Sequence, residues 1–190
     1  HGMYNFSFMD YVWNQQEHKS SYRLNVFMRS DEELKMVKDF FREYSANGSL
    51  FLSENCSLKD CDNLIIYGHH MNSGKMFAAL EGYRERKFFK EHPFIFFNTL
   101  QGEEKYQVFA VFSTPVYTGS DFAYYTFTKA ENRKSYETFI EAVKERSFYD
   151  TGITADYGEK LLTLSTCEYS QENGRLVVVA KKIAEKEITK

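Results

Sequence analysis

The sequence predicts a mainly β fold, with its strands closed or nearly closed into a barrel and a few helices in the connections. Aromatic residues make up 17% of the 190 residues, and many of them fall in short runs that are typical of strands. Turn-forming pairs such as Asn47-Gly48 and Asn173-Gly174 separate several of these runs. Closure of the sheet would also remove the exposed edges that an open sheet leaves.

The first part of the chain predicts two helices and three strands. Apolar residues at helical spacing, from Phe6 to Trp13, predict an amphipathic helix. Ser30 followed by Glu33 has the pattern of a capping box, which opens a second, short helix. The near-continuous apolar run from Asn63 to His70 predicts a buried strand. In chain order, the elements are a helix over about 5–18, a strand over 22–28, a helix over about 31–41, and strands over 49–53 and 63–70.

The second part of the chain predicts a hairpin, a further strand, two longer helices and a final pair of strands. Asn72-Ser73-Gly74 and Pro93 bracket the first of these helices. Tyr136, Phe139 and Val143 lie on one stripe of the second. In chain order, the elements are a helix over about 75–90, strands over 94–98, 105–113 and 124–128, a helix over about 132–146, and strands over 161–166 and 176–180.

Length and composition predict one domain spanning residues 1–190, in which 1–30 is an N-terminal helical segment. A net charge of -3 and a pI near 6.0, with no cluster of basic residues, argue against a nucleic-acid partner. No apolar run has the length of a membrane span. His1-Gly2-Met3 resembles the remnant of an expression tag, so a natural leader or anchor is expected upstream.

The three cysteines are too few for a disulfide scaffold, and their spacing does not predict a metal site. Cys56 and Cys61 are close enough in sequence to form a disulfide in an oxidising compartment, and the sequence leaves that open. Cys167 is then the remaining thiol. Its place at the end of a strand, beside a predicted turn, favours a reactive thiol over a buried structural one.

The side chains at three strand ends predict acyl-transfer chemistry. Cys167 ends one strand, Arg175 begins the next, and His69 ends an earlier strand. A thiol with a pKa of about 8.5 is mostly protonated at neutral pH, so a nucleophilic Cys needs a base such as His beside it. A guanidinium can stabilise the oxyanion that forms when a thiolate attacks a carbonyl. Strand alternation sends His69 and His70 to opposite faces, so only one of them can face the thiol.

Four blocks of sequence carry these residues: Asn63-Leu-Ile-Ile-Tyr-Gly-His69-His-Met71, Met76-Phe77, Thr163-Leu-Ser-Thr-Cys167 and Arg175-Leu-Val-Val-Val-Ala-Lys181. Together they closely resemble the class B sortases, which are cell-surface cysteine transpeptidases of Gram-positive bacteria. The resemblance covers most of the chain from Gly48 onward. The family's first hairpin is not recognisable before Gly48, and His70 stands where the family more often has Asn.

The resemblance implies an eight-stranded β-barrel with an N-terminal helix and a long helix between the sixth and seventh strands. It implies Cys167 as nucleophile, His69 as acid and base, and Arg175 as the third catalytic residue. It places Ser165, Thr166 and Glu168 in the substrate groove. No cofactor and no metal is expected.

The resemblance also implies the reaction and its partners. The substrate is a C-terminal sorting motif of the Asn/Ser-Pro-X-Thr type, cleaved after its Thr through a thioester. The acceptor is an amine of the peptidoglycan cross-bridge or of a lipid-linked precursor. The expected location is the extracellular face of the plasma membrane, with an anchor that this chain does not contain.

Other functions remain open at this stage. The same groups would serve a cysteine endopeptidase that hydrolyses its acyl-enzyme, or a sortase that assembles pili. A catalytically inactive β-barrel binding module is the alternative outside the enzymes. On composition alone, Cys167 could be a small buried hydrophobe and Arg175 half of a surface ion pair with Glu168 or Glu172.

Overall fold

Eight strands form a closed barrel in the order β1-β2-β5-β6-β8-β7-β4-β3. The computed structural model describes the backbone of residues 4–14, 19–28 and 50–184, except 73, 75, 100, 101, 117, 118, 120, 121 and 171, and the side chains of that chain from residue 50 onward. The strands are β1 Tyr4–Asn14, β2 Lys19–Met28, β3 Leu50–Leu52, β4 Asn63–Gly68, β5 Phe94–Thr99, β6 Gly102–Pro115, β7 Leu161–Glu168 and β8 Gly174–Lys182. The mainly β barrel predicted from the sequence is confirmed.

The carboxyl ends of β4 and β7 lie at the same edge of the barrel because these two strands are parallel. β7 continues into β8 through a tight reversal, and the two strands pair antiparallel. Asn173 has a φ of 53° in this turn, a conformation that Asn tolerates better than most residues. The predicted reversal at Asn173-Gly174 is therefore confirmed.

Two apolar clusters pack against the two faces of the barrel wall. One fills the barrel with fully buried side chains such as Ile66, Leu164 and Val178. The other lies between the outer face and helix α2, Arg133–Arg146. Asn132 and Ser135 form a reciprocal capping box at the start of α2, which satisfies amide groups that the first turn leaves unpaired. The long helix expected between the sixth and seventh strands is therefore confirmed.

The predicted N-terminal helix over 5–18 is wrong, because residues 5–14 of that range lie in strand β1. β1 pairs along its length with β2 and also with β3, which closes the barrel. The pairing register shifts between Phe6 and Phe8, so a bulge adds one residue to the strand. Apolar residues that lie three positions apart on the two sides of a bulge fit a strand as well as a helix. β1 and β2 also supply the first hairpin that the sequence did not reveal.

Two further predictions differ from the structure. Residues 124–128 are not a strand, because Tyr124–Thr126 form a 3-10 turn; every barrel strand already has two neighbours, so no edge is left to pair. The helix expected over 75–90 is divided into a 3-10 helix, Phe77–Arg84, and α1, Arg86–Glu91. The Phe88 ring packs so closely on Gly82 that a Cβ there would lie 2.7 Å from it.

The predicted capping box and helix over about 31–41 lie outside the described residues. The strands predicted over 22–28, 49–53, 63–70, 94–98 and 105–113 correspond to β2 to β6. Within the described part of the chain, no helix has the length and apolar character that crossing a bilayer requires.

Candidate active site

The β7–β8 hairpin places a thiol directly opposite a guanidinium. Cys167 and Arg175 are register partners in this antiparallel pair. Directly opposed residues on neighbouring strands have Cβ atoms about 5 Å apart and point to the same face. Cys167 is a free, half-buried thiol near the end of β7. The local pairing of two adjacent strands is therefore enough to bring these two groups together.

His69 reaches the same edge through the parallel pairing of β4 with β7. Gly68 is the register partner of Thr166, so His69 follows β4 beside Cys167. The backbone of His69 is fixed by a hydrogen bond of 3.0 Å from the Phe77 amide to its carbonyl. The backbone of this half-buried residue is thereby held next to the strand end that carries the thiol.

An open groove of about 410 Å³ lies over the hairpin. Its lining comprises Cys167, Glu168, Tyr169, Ser170, Glu172, Asn173, Gly174 and Arg175. Its volume is in the range that accommodates several side chains of a ligand. His69 is not among the lining residues, and its backbone lies beside the groove at the end of β4.

Arg175 keeps most of its guanidinium available at this groove. One of its N–H groups donates to the carbonyl oxygen of Gly174 at 2.9 Å. Among the residues that the structure describes, no carboxylate forms an ion pair with Arg175. Glu168, which the sequence left open as a partner for Arg175, pairs instead with Arg84 at 3.2 Å.

The three residues expected in the substrate groove occupy different positions. Ser165 is 1% exposed, and its hydroxyl lies 2.7 Å from the Tyr124 hydroxyl. Thr166 is 2% exposed and donates to the Gly68 carbonyl at 2.8 Å. The structure therefore places both hydroxyls below the groove rather than in its wall. Glu168 does line the groove, but it is mostly buried.

Arg84 and Tyr124 are the residues of this site that the sequence analysis missed. Arg84 ends the 3-10 helix that follows the His69 segment, and its ion pair with Glu168 ties that helix to the end of β7. Tyr124 reaches Ser165 across 41 positions of sequence. Both residues are far along the chain from their partners, so no local sequence pattern predicts either contact.

Cys56 and Cys61 are buried free thiols in the loop between β3 and β4. Burial raises the pKa of Cys56 to about 12, and the neighbouring Cys61 thiol adds to the rise. A thiol with such a pKa is a poor nucleophile at neutral pH. Within the described chain, no three His, Cys, Asp or Glu side chains are grouped to hold a metal ion.

Comparison with known proteins identifies the family of this chain. The model of the Sortase domain family matches residues 25–183. This chain belongs to the sortase family. Sortase B of Staphylococcus aureus is 35% identical over 146 residues, which are 75% of this chain and 58% of that protein. The chain therefore spans less than two thirds of the length of this curated relative.

Solved sortase B structures share the fold of this sortase over almost its whole length. The S. aureus sortase B–substrate complex has a TM-score of 0.73 and 29% identity, covering 97% of this chain and 79% of that one. A sortase B complexed with triglycine has a TM-score of 0.72 and 29% identity, covering 97% and 80%. The resemblance to class B sortases seen in the sequence blocks is confirmed.

Proposed function

We propose that this sortase is a cysteine transpeptidase whose catalytic residues are Cys167, His69 and Arg175. The observation that carries the proposal is the register at the barrel edge. Cys167 faces Arg175 across the β7–β8 pair, while the parallel β4–β7 pair brings His69 to the same strand end. Membership of the sortase family supports the assignment.

The first half-reaction forms a thioester. His69 takes the proton from the Cys167 thiol, and the thiolate attacks the carbonyl carbon of the scissile peptide bond. The negative charge that develops on the carbonyl oxygen is stabilised by the guanidinium of Arg175. As the C–N bond breaks, the imidazolium of His69 returns the proton to the leaving amine.

The second half-reaction reverses these roles. An incoming amine attacks the thioester carbonyl while His69 takes a proton from the nitrogen. The C–S bond then breaks, the Cys167 sulfur recovers its proton, and the product is a new amide. The Cys167 thiol and the His69 imidazole thus exchange the proton in both steps, and no cofactor enters either of them.

We propose that the acyl donor is a C-terminal sorting motif of the Asn/Ser-Pro-X-Thr type, cleaved after its Thr. The acceptor is an amine of the peptidoglycan cross-bridge or of a lipid-linked precursor. One relative was solved with a substrate and another with triglycine, which supports a peptide donor and an amine acceptor here. The proposed site of action is the extracellular face of a Gram-positive membrane.

Two residues next to the catalytic groups, Glu168 and Ser165, support the site in different ways. Glu168 is the predicted residue that can contact the peptide, since it lines the groove next to the thiol. Ser165 supports the groove from beneath it. Its buried hydroxyl and that of Tyr124 join the strand that carries Cys167 to the 3-10 turn beside α2.

The proposal is tested with a sorting-motif peptide, with and without triglycine as acceptor. We expect cleavage after the Thr, a thioester adduct on Cys167 and a ligated product that needs triglycine, all read by mass spectrometry.

Cys167→Ala should abolish all three while keeping the thermal midpoint of the parent. Cys56→Ala, which removes a buried thiol away from the groove, is the matched control and should retain cleavage. Turnover by Cys167→Ala would refute the assignment, and cleavage without ligation would favour hydrolysis.

A further inference from the structure

The residues on either side of Cys167 bind the carbonyl groups on either side of His69. Thr166 Oγ1 donates to the Gly68 carbonyl oxygen at 2.8 Å. The Tyr169 hydroxyl donates to the His70 carbonyl oxygen at 3.2 Å. The end of β7 therefore holds the chain that carries the imidazole at two points, one before His69 and one after it.

We propose that Thr166 and Tyr169 are positioning residues that fix His69 relative to Cys167. This inference rests on the transpeptidase function proposed above, in which His69 exchanges protons with the thiol. Neither hydroxyl needs to touch substrate for this role. Each acts by setting where the backbone of His69 lies against the end of β7.

The hydrogen bond from Thr166 to the Gly68 carbonyl lies in closely packed surroundings. Thr166 is 2% exposed, and a buried carbonyl that loses its donor is destabilised by the desolvation that is no longer compensated. Gly68 fits so closely that an added Cβ would lie 2.3 Å from the Leu50 side chain. The chain just before His69 therefore has no room to move sideways.

The Tyr169 bond holds the other side, where the chain leaves the barrel. Tyr169 is 71% exposed, yet its ring lies 5.5 Å from the His70 ring and its hydroxyl points back to the chain. The His70 imidazole does not anchor the segment itself, since its buried Nδ1 has no hydrogen-bond partner among the described residues. The Tyr169 hydroxyl thus adds a side-chain contact to the backbone bridge between His70 and Met76.

The two bonds matter because proton transfer depends on geometry. A general base must lie within hydrogen-bond reach of the proton it takes, and a displacement of about 1 Å can reduce the rate by about a hundredfold. If one bond is lost, the His69 carbonyl keeps its hydrogen bond from the Phe77 amide, but the segment loses one of its two side-chain ties to the end of β7. The expected effect is a lower rate of thiolate formation and of turnover, with peptide binding unchanged.

The experiment compares Thr166→Val, Thr166→Ser and Tyr169→Phe with the parent protein. Tyr157→Phe is the matched control, because Tyr157 is also partly exposed and packs beside α2, away from the groove. The first measurement is the rate of alkylation of Cys167 by iodoacetamide as a function of pH, which needs no substrate. The second is kcat and KM for the sorting-motif peptide, with circular dichroism to check folding.

We expect Thr166→Val and Tyr169→Phe each to lower kcat about fivefold without changing KM, as the loss of one neutral hydrogen bond predicts. Both should shift the pH midpoint of alkylation, while Thr166→Ser and Tyr157→Phe should match the parent.

An unchanged alkylation profile in both Thr166→Val and Tyr169→Phe would overturn the proposal. A rise in KM alone for Tyr169→Phe would also overturn it, because Tyr169 would then bind peptide. A parent protein that neither cleaves nor ligates the peptide would disprove the proposed function, while the alkylation profile would still decide the positioning role.

Discussion

The two ends of strand β7 are both buried but are held in different ways. The first half, Leu161–Leu164, is packed mainly by apolar side chains, and Leu162 and Leu164 enter the barrel interior. The second half, Ser165–Glu168, carries mostly polar side chains, and Ser165, Thr166 and Glu168 are bonded to other segments. The first half is anchored mainly by packing, with one buried hydrogen bond of 2.8 Å from the Thr163 hydroxyl to Asn63 Oδ1, and the second mainly by directional bonds.

This difference explains why the site lies where it does. Apolar packing stabilises a strand without fixing the orientation of any one group, since the hydrophobic effect has no direction. Hydrogen bonds require specific distances and angles, so they fix the atoms that they join. The apolar half therefore supplies stability, and the polar half sets the positions of the groups around the thiol.

The largest expected effect on stability is at the apolar end. Leu164→Ala should lower the free energy of unfolding by about 2–5 kcal/mol, because it leaves a cavity in the barrel interior. Urea denaturation measures the loss. Leu164→Ile is the control and should cost less than about 1.5 kcal/mol. If Leu164→Ala lowered kcat/KM of the folded protein as strongly as its stability, the division between the two halves would be contradicted.

The largest expected effect on activity alone is at Arg175, opposite the polar end. Arg175→Lys should reduce kcat/KM about a hundredfold with the thermal midpoint unchanged, since a point charge does not reproduce the guanidinium donors at the oxyanion. Steady-state kinetics with the sorting-motif peptide measures the loss. Arg146→Lys, at the end of α2, is the matched control. Equal losses in the two variants would show that Arg175 has no special role.

A smaller effect on stability is expected from the hydroxyl pair below the groove. Ser165→Ala should lower the free energy of unfolding by about 1–2 kcal/mol, because the Tyr124 hydroxyl loses a buried partner. The double variant Ser165→Ala/Tyr124→Phe should lose less than the sum of the two single variants. Urea denaturation of all four proteins completes the cycle. Strict additivity would show that the two hydroxyls are not coupled.

The smallest expected effect is at the opposite end of β7, where a half-buried ion pair between Lys160 and Asp62 precedes the strand. Burial raises the pKa of the Asp62 carboxyl, but the hydrogen bonds from Lys160 and the Ala130 amide outweigh it and leave this pKa below its ordinary value. The resulting stability is present above the ordinary pKa and is lost as the pH falls through the lowered one.

Asp62→Asn should therefore cost about 0.5–1 kcal/mol at neutral pH, since solvent screens the pair. The difference from the parent should shrink as the pH falls below about 4. Thermal unfolding between pH 3 and pH 7 measures this trend, with the exposed Asp156→Asn as control. A difference that grows toward acid would contradict the lowered pKa.

Much of the fold could be read from the sequence where local patterns agree with the tertiary structure. The Asn173-Gly174 turn, the aliphatic runs beside it and the apolar stripe of α2 each predicted their element correctly. The N-terminal helix was wrong because the apolar residues of β1 recur at a spacing that also fits a helix, while pairing with β2 and β3 makes the segment a strand. Residues 124–128 were assigned to a strand because aromatic residues favour strands, whereas the barrel had no edge left for them.

The sequence by itself determined the chemistry available to this protein, because a thiol, an imidazole and a guanidinium at strand ends are read from residue type and turn position. It also determined that Cys167 would face Arg175, since a tight hairpin pairs residues that are close along the chain. Only the tertiary structure decided which groups support them. Thr166 meets Gly68 across 98 positions of sequence, and a contact of that kind depends on how the whole barrel closes. No sequence spacing predicts the contact between Thr166 and Gly68.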